Sequence, residues 1–168
     1  MKNWLSFSLL LVVAALPLHA EDTSVGLMLG AGQSVREGGF HVNDPVREIF
    51  FSTDTDPATT LKLKVGHISL DENRDGVDIT RRLDYVDVLV EYKLDEVWGS
   101  SGLFGGVGLY REDVASGHDT DYGFSAGLNG TFPVTRRLAF LAEAAYHSAR
   151  FKDRATFVTV TAGLKLNF

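Results

Sequence analysis

Hydrophobic and polar residues alternate along this chain with a period of two. The closing stretch shows the pattern most plainly. Val158, Val160, Ala162, Leu164, Leu166 and Phe168 take one face, and Thr159, Thr161, Gly163, Lys165 and Asn167 take the other. A period of two is that of a β-strand with one apolar and one polar face. The same alternation, broken by clusters of turn-forming residues, predicts eight strands, at 24–33, 46–53, 60–70, 79–93, 102–111, 119–132, 136–148 and 157–168. In the third, Leu61, Leu63 and Val65 oppose Lys62, Lys64 and Gly66. In the fourth, Val86, Val88, Val90 and Tyr92 oppose Asp87, Leu89 and Glu91. The faces of 46–53 cannot be assigned from the pattern. Little of the chain shows the 3.6-residue period of a helix.

The connectors differ in length. Those at 53–59, 95–101 and 133–135 are shorter or tighter, and those at 34–45, 71–78, 112–118 and 149–154 are mostly longer and more charged. With an even number of strands running up and down, the longer connectors all fall on one rim. Short turns at one end and longer loops at the other are the asymmetry of a membrane barrel.

Residue choice on the polar face decides which side meets lipid. Lys62, Lys64, Asp87, Glu91, Glu143 and Lys165 all share the face that would turn inward if the apolar face turned outward. A soluble barrel with that face in its core would bear a heavy desolvation cost. In a membrane barrel the lumen is the polar side, where opposite charges pair. Glycines on the same faces, such as Gly26, Gly106, Gly108 and Gly163, leave room in a narrow eight-stranded interior. The alternative is a soluble, lipocalin-like barrel with the charges outside and a greasy pocket within. Threading the strands up and down also puts Tyr122 and Tyr146 near the outer rim of the apolar face, and Tyr92, Phe132 and Phe168 near the inner rim. Two aromatic girdles around an aliphatic middle suit the two membrane interfaces.

The start of the chain agrees. Lys2 precedes an apolar run from Leu9 to Leu16, then Pro17, Leu18, His19 and Ala20. That is the layout of a secretory signal peptide over residues 1–20, too short to span a membrane as a helix. The remainder, 21–168, reads as one domain. The 168-residue chain carries a formal charge of −6, and loss of Lys2 with the leader makes it one unit more acidic. Nucleic acid is not an expected partner, because it calls for a basic patch. There is no cysteine, which excludes disulfides, thiol catalysis and Cys-based metal sites.

The closing T-A-G-L-K-L-N-F resembles the signal by which bacterial outer-membrane barrels are recognised for assembly, with Thr161, Gly163, Leu166 and Phe168 at the matching positions. The segment from G-L-F-G-G-V-G-L-Y-R at Gly102 through to A-E-A-A-Y-H at His147 is similar to the outer-membrane protein β-barrel-domain family, the small eight-stranded barrels. The resemblance covers about the last seventy residues and is pattern-level before them. It implies an all-β, eight-stranded antiparallel up-and-down transmembrane β-barrel in the outer membrane of a Gram-negative bacterium. The implied partners are the barrel-assembly machinery and outer-membrane lipid, including lipopolysaccharide; a monomer without cofactors is expected. It implies no activity, because a fold does not fix a function.

Two stretches invite chemistry. Outer-membrane lipid A deacylases resemble this scaffold and use a His, a Ser and a Glu facing lipid near the outer rim. His147 and Ser148 are the candidates here. Adjacent strand residues point to opposite faces, so only a bulge would align them. Otherwise His147 is a lumen residue paired with a carboxylate such as Glu143. The loop D-E-N-R-D-G-V-D places Asp71, Asn73 and Asp75 at alternate positions before Gly76, the first half of a calcium loop. Its twelfth position is Arg82, where a bidentate Glu belongs, so the stretch reads first as a turn rich in Asp, Asn and Gly. His41 and Asp44 are too sparse for a metal site, and no Gly-x-Gly spacing opens a helix to hold phosphate.

Overall fold

The computed structural model describes residues 23–35, 44–74, 77–94, 100–114, 117–151 and 154–168, with the backbone alone for 71–74, 77–79 and 114. Every regular element among them is a strand: β1 (Thr23–Ser34), β2 (Asp44–Asp56), β3 (Thr59–Arg74), β4 (Val77–Leu94), β5 (Ser100–Val114), β6 (Gly117–Pro133), β7 (Leu138–Ala149) and β8 (Ala155–Asn167). Each pairs antiparallel with its sequence neighbours, and β1 closes onto β8 from Ser24↔Asn167 to Ser34↔Phe157. The fold is the expected eight-stranded up-and-down barrel. Closure pairs the backbone groups that lipid cannot satisfy. The leader at 1–20, His41 and Asp75 lie outside the described residues.

Three expectations change in detail. The connectors at 71–78 and 112–118 are mostly ladder, since β3 runs to Arg74, β4 starts at Val77, β5 runs to Val114 and β6 starts at Gly117. Charged residues there suggested loops, yet ladder hydrogen bonds belong to the backbone, and alternating charges suit a strand in water. Gly117, at φ 141°, supplies the left-handed conformation that starts β6. The seventh strand begins at Leu138 rather than 136, because Thr135 Oγ1 accepts from the backbone N–H groups of Arg137 (3.2 Å) and Leu138 (2.9 Å) and holds the turn open. The unassigned second strand turns Arg47, Ile49 and Phe51 outward and Val46, Glu48, Phe50 and Ser52 inward.

We call the end carrying Thr23 and Phe168 the terminal end and the opposite end distal. Among the described residues the hairpins β3–β4 and β5–β6 project farthest distally. The β2–β3 ladder stops at Val46↔Ile68 and the β6–β7 ladder at Gly123↔Ala149, so both hairpins outrun their neighbours. At the terminal end the β2–β3 turn is tight, with Ala58 N–H donating to Asp56 Oδ1 at 2.9 Å.

Large apolar side chains encircle the barrel on the outside. Leu29 is 67% exposed and Val107 66%, and Leu27, Val88, Leu128, Val160 and Leu164 join them. Tyr122 and Tyr146 lie toward the distal edge of this belt; Tyr92, Phe132 and Phe168 lie toward the terminal edge. So large an exposed apolar surface, wrapped around a charged interior, is a lipid-facing surface.

Candidate functional site

The lumen is filled by an ion-pair ladder. Lys62 Nζ lies 2.8 Å from Glu91 Oε2 and 3.5 Å from Glu143 Oε2. Lys64 donates to Glu143 Oε1 and lies 3.6 Å from Glu48 Oε1. Phe50 and Phe104 offer their faces to Lys62 at 5.3 and 5.4 Å, and Phe104 also to Lys64 at 5.1 Å. Buried charges persist only when paired, and each of these has an opposite charge within 4 Å. Nearer the terminal mouth, Lys93 donates to Asp54 Oδ2 at 2.5 Å. Lys165 lines a polar pocket of about 240 Å³ there with Asp54, Arg136 and Asn167.

Distal to the lysines, glycines let long side chains cross the barrel. Glu48, Gly66 and Tyr85 are direct ladder partners on β2, β3 and β4. A Cβ on Gly66 would strike the Tyr85 ring. Without it, Tyr85 lies across β3 and its hydroxyl donates to Glu48 Oε1 at 2.5 Å. By the same device Asp87 reaches past Gly106 and Gly108 of β5 to accept from Ser125 Oγ on β6 at 2.8 Å. Tyr110 donates to Asp87 at 3.2 Å and meets His147 Nδ1 at 3.1 Å. Beyond this layer the interior turns mostly apolar: Ile68, Leu70, Leu83, Phe151 and Phe157 pack as one cluster, and the buried Arg81 guanidinium donates to both carboxylate oxygens of Glu112 at 2.6 and 2.8 Å.

The sequence candidates distribute as follows. Lys62, Lys64, Asp87, Glu91 and Glu143 all point into the lumen and all but Asp87 meet in the ion-pair ladder. Thr161 turns inward and donates to Glu48 Oε2 at 3.2 Å, while Leu166 and Phe168 face outward. His147 is wholly buried in the lumen. Its Nε2 meets Thr159 Oγ1 at 3.3 Å, and its ring stacks on Phe157 at 4.6 Å. The carboxylate beside it is Asp87 at 3.7 Å rather than Glu143, which the lysines occupy. Ser148 pairs in unbroken register with Phe124 and Thr156, so it faces away from His147, and no bulge aligns the two. Asp71 and Asn73 pair with Thr80 and Asp78 in the β3–β4 ladder. Residues 71–74 and 77–78 are thus extended strand rather than the looped backbone of a calcium site, and Asp75 lies outside the described residues. No group of three metal-ligating side chains occurs among the described residues.

Sequence reasoning missed Glu48, because the face of its strand was unassigned, and it singled out neither Tyr85 nor Tyr110. It also missed a feature of the exterior. Leu29, Arg47, His67, Asp84, Arg111 and Thr120 are direct cross-strand partners in succession, one from each of β1 to β6. They form a single transverse row. The outward row beneath it, Leu27, Ile49, Val65, Val86 and Leu109, is wholly apolar. The two rows wall a concavity of about 740 Å³ on the barrel's outer surface. A barrel is a hyperboloid, concave along its strands at the waist, and this groove follows that curvature. His67 Nδ1 and Asp84 Oδ1 are 2.7 Å apart. Arg111 Nε lies 3.7 Å from Asp113, and Arg47 makes no ion pair among the described residues.

Solved structures share this architecture. Neisserial surface protein A aligns with a TM-score of 0.66 at 12% identity, covering 88% of this chain and 96% of that one. The N-terminal β-barrel domain of Pseudomonas aeruginosa OprF aligns at 0.57 and 14% identity, covering 86% and 97%. Ail of Yersinia pestis, solved in complex with the heparin analogue sucrose octasulfate, aligns at 0.55 and 14%, covering 88% and 98%. This chain has the fold of the small outer-membrane barrels. No protein-family model matches the sequence, and no curated protein matches it. At such identities the likeness is one of fold, and function rests on the site.

Proposed function

We propose that the protein is a resident, non-conducting barrel of the bacterial outer membrane. Its role is structural or surface-interactive, with the projecting β3–β6 hairpins offered to the outside. The observation that carries this is the pairing of an apolar outer belt with a lumen closed by the Glu91–Lys62–Glu143–Lys64–Glu48 ladder. Eight strands enclose only enough space for side chains, and here the side chains bond to one another across it. Residues 1–20 act as the export signal. Thr161, Gly163, Leu166 and Phe168 address the chain to the barrel-assembly machinery, and the folded monomer contacts outer-membrane lipid, lipopolysaccharide included.

The test is gel mobility of the protein from the outer-membrane fraction, unheated against boiled, joined to conductance in a planar bilayer. A compact unheated band and no current steps are expected. Recovery from the soluble periplasm without a mobility shift, or steady current through the wild type, would overturn the proposal. A lipid-modifying hydrolase built on His147 and Ser148 gains no support, because the two point to opposite faces of β7.

A further inference from the structure

We infer that the transverse groove binds an outer-leaflet lipid that carries two phosphates on one headgroup. The acyl chains would lie against Leu27, Ile49, Val65, Val86 and Leu109, and the phosphates would engage Arg47 and Arg111. The inference rests on the outer-membrane reading above and adds the ligand and its anchors.

The groove sits where the exterior changes character. On β3 to β5 the outward residues next to its terminal side are apolar, and those on its distal side, such as Ser69, Arg82 and Asp113, are polar. That boundary is the interface, where a lipid has its phosphates. A groove apolar on one side and basic on the other matches an anionic amphiphile and neither a purely apolar nor a purely polar ligand.

The spacing of the charges selects the headgroup. Arg47 is on β2 and Arg111 on β5, three strand spacings apart, or about 14 Å. Asp84 stands between them in the row, with His67 at 2.7 Å. Asp84, the direct cross-strand partner of Arg111, repels a single phosphate placed between the two arginines, whereas two phosphates held apart by a sugar headgroup pass on either side of it. The guanidinium fork suits phosphate. Arg47 has no competing ion pair among the described residues. Arg111 is approached by Asp113 at 3.7 Å through Nε, and Asp113 is itself engaged by His118 at 2.6 Å. Arg47 is therefore the stronger anchor. Arg82 lies one row farther out, opposite Asp113, and belongs to the solvent side.

The experiment is lipid retention by the folded full-length mature chain in detergent micelles, read by native mass spectrometry. Two probes are compared: a multiply acylated glucosamine disaccharide with two phosphates, and the same lipid with one. The wild type should retain the diphosphate form about tenfold better. Arg47→Ala and Arg111→Ala should each bring it down to the monophosphate level, and Arg136→Ala at the opposite rim should change nothing. Arg47→Gln, which keeps the side chain's length, carries the same expectation if the alanine variant folds poorly. Equal retention of the two probes by the wild type, or undiminished retention in the Arg47 and Arg111 variants, would overturn the inference. A wild type that shows no compact unheated band fails the outer-membrane reading instead, and the gel shows that separately.

Discussion

Replacement of Glu143 by glutamine tests whether the luminal ladder holds the barrel together. The change keeps the side chain's shape and removes its charge. Glu143 serves both lysines: its Oε1 accepts from Lys64 and its Oε2 lies 3.5 Å from Lys62. Lys64 is wholly buried, so it cannot turn to water when its main partner is lost. Breaking a buried pair costs about 3–5 kcal/mol. Glu48 remains 3.6 Å from Lys64, and Glu91 remains 2.8 Å from Lys62, so the loss should fall at the low end, about 3 kcal/mol. With a urea slope of about 1–3 kcal/mol/M, the unfolding midpoint drops by roughly 1–3 M. The assay is the fraction of compact, unheated band across a urea series with the protein in lipid vesicles. Glu91→Gln is the control. Its side chain is less completely buried than that of Glu143, and Lys62 would keep Glu143, so its cost should be smaller than that of Glu143→Gln. The double change Lys64→Met with Glu143→Leu should recover part of the single-site loss, because it removes the charge and its partner together. A Glu143→Gln midpoint indistinguishable from the wild type, or a larger loss for Glu91→Gln, would refute the ladder as the element that holds the lumen.

Other expectations follow from the same geometry. Val107→Arg, in the belt, should weaken folding into vesicles by about 2–4 kcal/mol, whereas Thr120→Arg in the polar row should cost close to nothing, both read by urea titration. Gly66→Ala should push the Tyr85 ring off β3 and break its bond to Glu48, a loss of about 1–3 kcal/mol that appears as a lower midpoint in the same assay. His147→Phe keeps the stack on Phe157 but loses contact with Tyr110 and Thr159; it should cost about 1–2 kcal/mol and leave the acyl profile of the cell's outer-membrane lipid unchanged by mass spectrometry. A changed profile would revive the hydrolase reading.

The strand count, the closing strand and the inward charges were legible because each depends on a period of two, which a strand cannot break without a bulge. Among the described ladders the one register shift lies between Asp54 and Asp56, so the pattern carried through almost unbroken. What was illegible depends on crossings between strands. Nothing in the sequence pairs Tyr85 with Glu48 or Arg47 with Arg111, because each pair is joined through the residues of intervening strands. His147 misled for a related reason. Its neighbour in sequence, Ser148, suggested a dyad, while its partners in space, Tyr110 and Thr159, come from β5 and β8.

The apolar belt also ends at a place the sequence marks without a turn. On β3, Leu61, Leu63 and Val65 are apolar and face out, and Lys62 and Lys64 face in. From His67 onward the phase of hydrophobicity reverses: His67 and Ser69 face out, and Ile68 and Leu70 are buried. β4 reverses between Asp84 and Val86, and β5 between Leu109 and Arg111. No register shift accompanies these reversals. The side chains keep strict alternation, so the environment must be what changes. Below the reversal the barrel is polar inside and apolar outside, as lipid requires; above it the outside is polar, as water requires, and the inside is mostly apolar around the one buried Arg81–Glu112 pair among the described residues. One unbroken sheet thus crosses from one solvent to the other. The rows that form the transverse groove are the last row before the reversal and the first row after it. A slip in hydrophobic phase without a turn locates an interface on a strand, and it explains why the basic residues of this barrel's exterior lie beside an apolar floor.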